Sequence, residues 1–208
     1  MKTLMHPLKL TCAAILAAAL PATAQVANTW NGGGADDNWS TAGNWSPGAP
    51  NAGDSLIFDG SIRTTPNNDY TVDTYFKDIS FAPTASAFTL GGNEFILDGL
   101  VENTATNQLQ IFAMPLVLTN TVTVNTVSND QNFISANDIT FAATVSGPGA
   151  LVKIGEGTLV LSNKTYTGGT TISNGLVVAR NDSGGYTMSG GTLLMDYGSF
   201  FSGPTIPF

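Results

Sequence analysis

A short turn-and-strand unit recurs near the C-terminal end of this chain, and its spacing limits the folds open to it. Gly-Thr-Leu-Val-Leu (157–161), Gly-Leu-Val-Val (175–178) and Gly-Thr-Leu-Leu-Met (191–195) follow one another at 18 and 16 residues, while Gly-Gly-Thr at 168 returns at 190, 22 residues on. A unit that small cannot bury an apolar face alone, so such units stack, each covering the edge of the last. Upstream, apolar clusters at 56–58, 79–81, 88–90, 95–97, 116–118, 122–124 and 139–141 lie between Gly, Asn, Asp, Pro or Ser, which is how strands read. Residues 118–124 alternate with period two, as a half-buried strand does. Helix formers for exposed positions are nearly missing: Glu appears three times and Lys five, whereas Gly, Thr and Asn supply 68 of 208 residues.

The expected fold is all-β, a right-handed single-stranded parallel β-helix with a Trp/Gly-rich N-terminal cap. The rival is a β-sandwich of hairpins. It is disfavoured because two-residue turns of the hairpin type are few, Asn174-Gly175 and Asp98-Gly99 being the exceptions. At roughly 22 residues per coil, residues 54–200 make about six or seven coils. Leu159, Leu161, Ile172, Leu176, Val178 and Leu193 are expected to point inward.

Residues 1–24 read as a secretory signal peptide. Lys2, His6 and Lys9 precede an apolar run from Leu10 to Leu20, and Ala22-Thr23-Ala24 offers a cleavage site. That run is too short to span a bilayer, and no later stretch is apolar for 18 residues, so no transmembrane segment is expected in the mature chain. Cleavage would remove His6 and Cys12, the only His and Cys. Triad chemistry, His/Cys zinc sites and disulfides are thereby excluded from the mature chain. Five basic residues then face fifteen acidic ones, which makes nucleic acid and anionic membranes poor partners.

The run Ser146 to Ala179, SGPGALVKIGEGTLVLSNKTYTGGTTISNGLVVA, resembles the autotransporter-associated β-strand repeat, also called the passenger-associated transport repeat. The resemblance rests on Gly147, Gly149, Leu151, Lys153, Gly155, Gly157, Thr158, Leu159 and Leu161. It continues through Tyr166, Thr167, Gly168, Gly169, Thr170, Gly175, Leu176 and Val178. Lys164 stands where Asn is usual, and Asn174-Gly175-Leu176 is one residue short before the last strand. The opening segment, with Trp30, Gly32, Trp39, Asn44, Trp45, Gly48, Pro50, Gly53 and Asp54, is similar to the N-terminal part of secreted proteins that carry these repeats. The resemblance implies a secreted bacterial β-helix, often displayed at the cell surface, with no known catalytic residues.

Several side-chain groups invite chemistry, each with a plainer reading beside it. Asp36-Asp37 with Asn31 and Asn38 could ligate Ca²⁺, yet the segment lacks calcium-loop spacing, and Asp and Asn also make turns. Asp54, Asp59, Asp69, Asp73 and Asp78 could supply a glycosidase pair, but every one sits beside a turn or a strand end. A lyase would also need cations, of which Arg63, Lys77, Lys153, Lys164 and Arg180 are those left after cleavage. Trp30, Trp39 and Trp45 could stack on a sugar, or they could plug the open end of the first coil.

The expected organisation is therefore a signal peptide (1–24), a Trp/Gly-rich cap (25–53), irregular coils (54–145), a repeat region (146–199) and an apolar tail (200–208) that is either truncated or covered by a partner. The repeat is expected to work structurally through Gly155, Gly157, Leu159, Leu161, Tyr166, Gly168, Gly169, Thr170, Gly175, Leu176 and Val178. No cofactor or metal is expected. The function expected is a non-catalytic, adhesin-like passenger segment, secreted or at the cell surface. A cell-surface or polysaccharide partner and further repeats or a translocator beyond this chain complete the expectation. A carbohydrate-binding module using the tryptophans, or a β-helix lyase or hydrolase, is the alternative.

Overall fold

Short β-branched and aromatic runs separated by glycine turns become nineteen short strands in the computed structural model, which describes residues 25–105, 107–127, 138–180, 182 and 184–196. The expected signal peptide (1–24) and apolar tail (200–208) lie outside the described residues. One 3-10 turn, Ala42–Asn44, is the only helix among the described residues. The chain opens with β1 (Ala27–Trp30) and β2 (Trp45–Ser46). Three sets follow: β3 (Ser55–Phe58), β4 (Asn67–Asn68) and β5 (Thr74–Phe76); β6 (Ile79–Phe81), β7 (Thr89–Gly92) and β8 (Phe95–Leu97); β9 (Leu100–Asn103), β10 (Gln110–Phe112) and β11 (Leu116–Leu118). Then come β12 (Thr121–Thr126), β13 (Ile139–Ser146), β14 (Ala150–Ile154) and β15 (Thr158–Lys164). The last four are β16 (Thr170–Ile172), β17 (Leu176–Arg180), β18 (Tyr186–Met188) and β19 (Thr192–Asp196).

From β3 onward sequence neighbours lie on different ladders, and each ladder is parallel. The first runs β1-β3-β6-β9-β12-β14-β16-β18, and the second β4-β7-β10-β13-β15-β17-β19. A short third ladder, β5-β8-β11, joins the far half of β13, where Leu116 faces Val145. A register shift between Phe141 and Thr144 lets β13 serve both ladders. The single antiparallel pair among the named strands is β1 with β2, at the start of the first ladder. The segment 25–53, which reads as nearly strandless, thus contributes a full parallel strand, since Ala27 to Trp30 face Ser55 to Phe58.

The return distance is not uniform. Phe58 faces Phe81, 23 residues on, and Phe81 faces Asn103, 22 on. Near the end Lys153 faces Ile172, 19 on, and Ile172 faces Met188, 16 on. Period-two alternation puts every second side chain into one core. The N-terminal two-thirds of that core is aromatic, with Phe58, Phe76, Phe81, Phe88, Phe95, Phe112 and Phe141 buried. Towards the C-terminus it turns aliphatic through Leu151, Leu159, Leu161, Ile172 and Val177. Each such side chain stabilises the stack by about 1.5–3 kcal/mol.

Candidate functional site

The recurring glycines form a column. Thr158 faces Leu176, which faces Thr192, so Gly157, Gly175 and Gly191 stand one above another just before their strands. Leu176 N–H donates to Gly157 O at 3.2 Å, and Thr192 N–H to Gly175 O at 2.7 Å. Gly175 has φ +73°, and a Cβ there would lie 2.4 Å from Gly155 O and 2.5 Å from Gly157 O. No other residue satisfies both demands. Glycine is thus required by the closeness of the strand beneath as well as by the bend.

Beside this column lies the buried Lys153, on the inward row between Val124 and Ile172. Its ammonium donates to Ile154 O at 2.6 Å and Gly155 O at 2.9 Å, tying the corner between β14 and β15. Burial lowers its pKa to about 8, against the opposing pull of the Asp138 charge. Asp138, buried as well, accepts from Thr158 N–H at 2.7 Å and so anchors the start of β15. A second lysine closes the next corner. Lys164 Nζ donates to Gly184 O at 2.6 Å, lies 3.6 Å from Asp182, and sits 5.1 and 5.0 Å from the ring centres of Tyr166 and Tyr186. The Tyr186 hydroxyl donates to Asp182, so the segments that follow β15 and precede β18 are joined around one cation. Tyr166 is itself buried, with its hydroxyl against Thr170.

At the other end Trp30 and Trp39 are 0% exposed and Trp45 4%. All three pack on Phe58, at ring separations of 6.1, 5.7 and 5.6 Å. Trp45 Nε1 donates to Trp39 O at 2.7 Å. The three indoles considered for glycan contact, Trp30, Trp39 and Trp45, are thus turned into the core. An open cleft of about 280 Å³ does border Trp30, with Asn31, Asp59 and Ile62 on its walls.

The carboxylates considered for acid–base chemistry hold the chain together. Asp54 accepts from Val26 N–H, Asn51 N–H and Asn28 Nδ2. Asp78 accepts from Leu100 N–H and the Ser55 hydroxyl, Asp69 from Ser40, and Asp59 from Gly60 N–H and Thr84. Asp73 lies in a turn at φ +64°. Asp36 accepts from Thr41 and Asn38, which hold its carboxyl below the usual range, and Asp37 pairs with Arg63 at 2.8 Å. Among the described residues no three His, Cys, Asp or Glu side chains group as metal ligands. Besides Lys153, Lys164 and Arg63, the cations considered for a lyase are Lys77, 3.7 Å from Asp98, and Arg180, 3.2 Å from Asp196.

The glycine column and the Lys153 corner lie in one segment, and that segment has a known pattern. Residues 151–179 match the family model described as the passenger-associated-transport-repeat. The chain carries a passenger-associated transport repeat. No curated protein and no solved structure matches the chain. Within the repeat, Leu159 and Leu161 point into the core, as Ile172 does. Leu176 does not, being half-exposed, and Val178, though buried, alternates with Val177 and Ala179, which are the partners of Leu159 and Leu161. Gly157 over Gly175 fixes that register, and a slip of one residue exchanges the two faces. Asp138, Asp182 and Tyr186, which hold the corners of the repeat, were not singled out from the sequence. They act between strands distant in sequence, and no local spacing marks them. Among the described residues no helix is long and apolar enough to cross a membrane.

Proposed function

We propose that this chain is a right-handed parallel β-helix acting as a non-catalytic, adhesin-like passenger segment, exported by its leader and displayed outside the cell. The observation that carries the reading is the seating of the passenger-associated repeat. Its strands β14 to β17 each pair on both sides, in two parallel ladders that run from one end of the described chain to the other. The repeat is a continuation of the stack. Its polar side chains support a structural role, since the acids and cations bind backbone groups, hydroxyls and each other.

The test is to produce the chain with its own leader and an epitope tag in a Gram-negative host. The tag should be found outside the cell or should be cleaved by protease added to intact cells. A tag that stays protected until the envelope is broken overturns display. Release of reducing sugar or unsaturated products from a polysaccharide panel would overturn the non-catalytic part. Tryptophan emission should not change on titration with glycans, because the indoles are buried.

A further inference from the structure

The chain holds two Asn-Gly pairs, Asn31-Gly32 and Asn174-Gly175, and the fold treats them oppositely. Asparagine before glycine is the dipeptide whose main-chain nitrogen most readily attacks the preceding carboxamide, because glycine puts no side chain in the way. At the first pair both reacting groups are engaged elsewhere. Gly32 is buried and its N–H donates to Asn44 O at 3.3 Å. The Asn31 carboxamide meanwhile accepts from Gly33 N–H at 2.9 Å, one residue beyond the nitrogen that would attack it. At the second pair the two groups meet. Gly175 N–H donates to Asn174 Oδ1 at 2.8 Å, and Asn174 is exposed to water. The pair is held from both sides, by Ser173 N–H on Lys153 O at 2.9 Å and by Leu176 N–H on Gly157 O at 3.2 Å. Lys153 Nζ lies 3.5 Å from Asn174 O, where its positive charge favours loss of the Gly175 proton.

We infer that Asn174-Gly175 is a self-modifying site, at which the folded repeat deamidates itself. Gly175 N gives up its proton and bonds to Asn174 Cγ. The Cγ–Nδ2 bond breaks, and ammonia leaves with that proton and the two of the carboxamide. Water then opens the cyclic imide. Cleavage of the new N–Cγ bond yields aspartate at this position, and cleavage of the old peptide bond yields isoaspartate, with the main chain rerouted through Cβ and Cγ. An amide and water become an acid and ammonia, with no electron transferred. Either product sets a carboxylate beside the glycine column. The isoaspartate also lengthens the main chain at a crowded point, where a Cβ on Gly175 would already lie 2.4 Å from Gly155 O. Gly175 O accepts from Thr192 N–H at 2.7 Å, so the isoaspartyl form loosens β17 and β19.

Peptide mapping by mass spectrometry, on the full chain stored at neutral pH, tests this. In the folded chain Asn174 should convert to the acid at least about tenfold faster than Asn31, the advantage of a positioned nucleophile. In urea, where neither pair keeps its geometry, the two rates should converge. Asn174→Gln, which would have to close a larger ring, should abolish conversion at this position. Its side chain is exposed, so circular dichroism of the variant should match the parent. In the isoaspartyl fraction the amides of β17 and β19 should exchange hydrogen faster than in fresh protein. Equal folded-state rates at the two pairs, an Asn174 that converts more slowly folded than in urea, or an isoaspartyl fraction that exchanges like fresh protein would each overturn the inference.

Discussion

Two residues show how little freedom the repeat leaves. Gly175 and Gly60 share a positive φ, +73° and +72°, but a Cβ at Gly60 meets nothing within 4 Å. Gly60→Ala should therefore cost only the backbone strain, about 1–2 kcal/mol. Gly175→Ala adds a clash with two carbonyls and should cost about 2–5 kcal/mol. Urea midpoints of the two variants measure the difference, and equal losses would show that space is not what selects glycine. Lys153 makes a prediction in pH. Its pKa of about 8 in the folded chain lies below the ordinary 10.5. Between those values the unfolded chain holds a proton that the folded chain has shed, so stability should rise with pH across this window, by up to about 3 kcal/mol. Tyrosines act in the opposite sense. Burial pushes Tyr70 up to about 12 and raises Tyr166 too, so above pH 10 the unfolded chain loses protons that the folded chain keeps. Stability should peak near pH 10, and Lys153→Met should remove the rise while leaving the fall.

At the scale of a strand, the test is which face of β17 is inside. Val177→Ala, in the core, should cost about 2 kcal/mol, and Leu176→Ala, half-exposed, under about 1 kcal/mol. Leu159→Ala, directly beneath Val177, should cost about 2–5 kcal/mol. The opposite ranking of the two β17 variants would put Leu176 inside. Strand positions were largely legible from composition and punctuation: Ile79–Phe81, Phe95–Leu97 and Leu116–Leu118 are strands with those bounds. Facing in β17 was not, because Leu-x-Val reads as period two from either starting residue. The glycine beneath decides, through the hydrogen bond from Leu176 N–H to Gly157 O. Strands such as β4 (Asn67–Asn68) and β5 (Thr74–Phe76) were also hidden. Two polar residues, or a tyrosine beside a threonine, carry no apolar alternation, and they are extended because the ladder beside them is.

Across the whole molecule the first end of the stack is closed by a small segment, and closing matters more than the size of that segment suggests. Residues 25–53 bring β1, which covers the edge of β3, and three indoles, which cover Phe58, Phe76 and Phe95. Removing them bares a parallel edge and an aromatic core face together. A chain lacking residues 25–53 should lose several kcal/mol, since one buried Trp alone contributes about 3–5 kcal/mol on truncation. Its association should also change in kind. A bared β3 edge is a template on which another chain can pair. Sedimentation velocity should then show the shortened chain associating more strongly than the parent as concentration rises. A shortened chain that stays monomeric and as stable as the parent would show that the tryptophan segment is not what closes the stack.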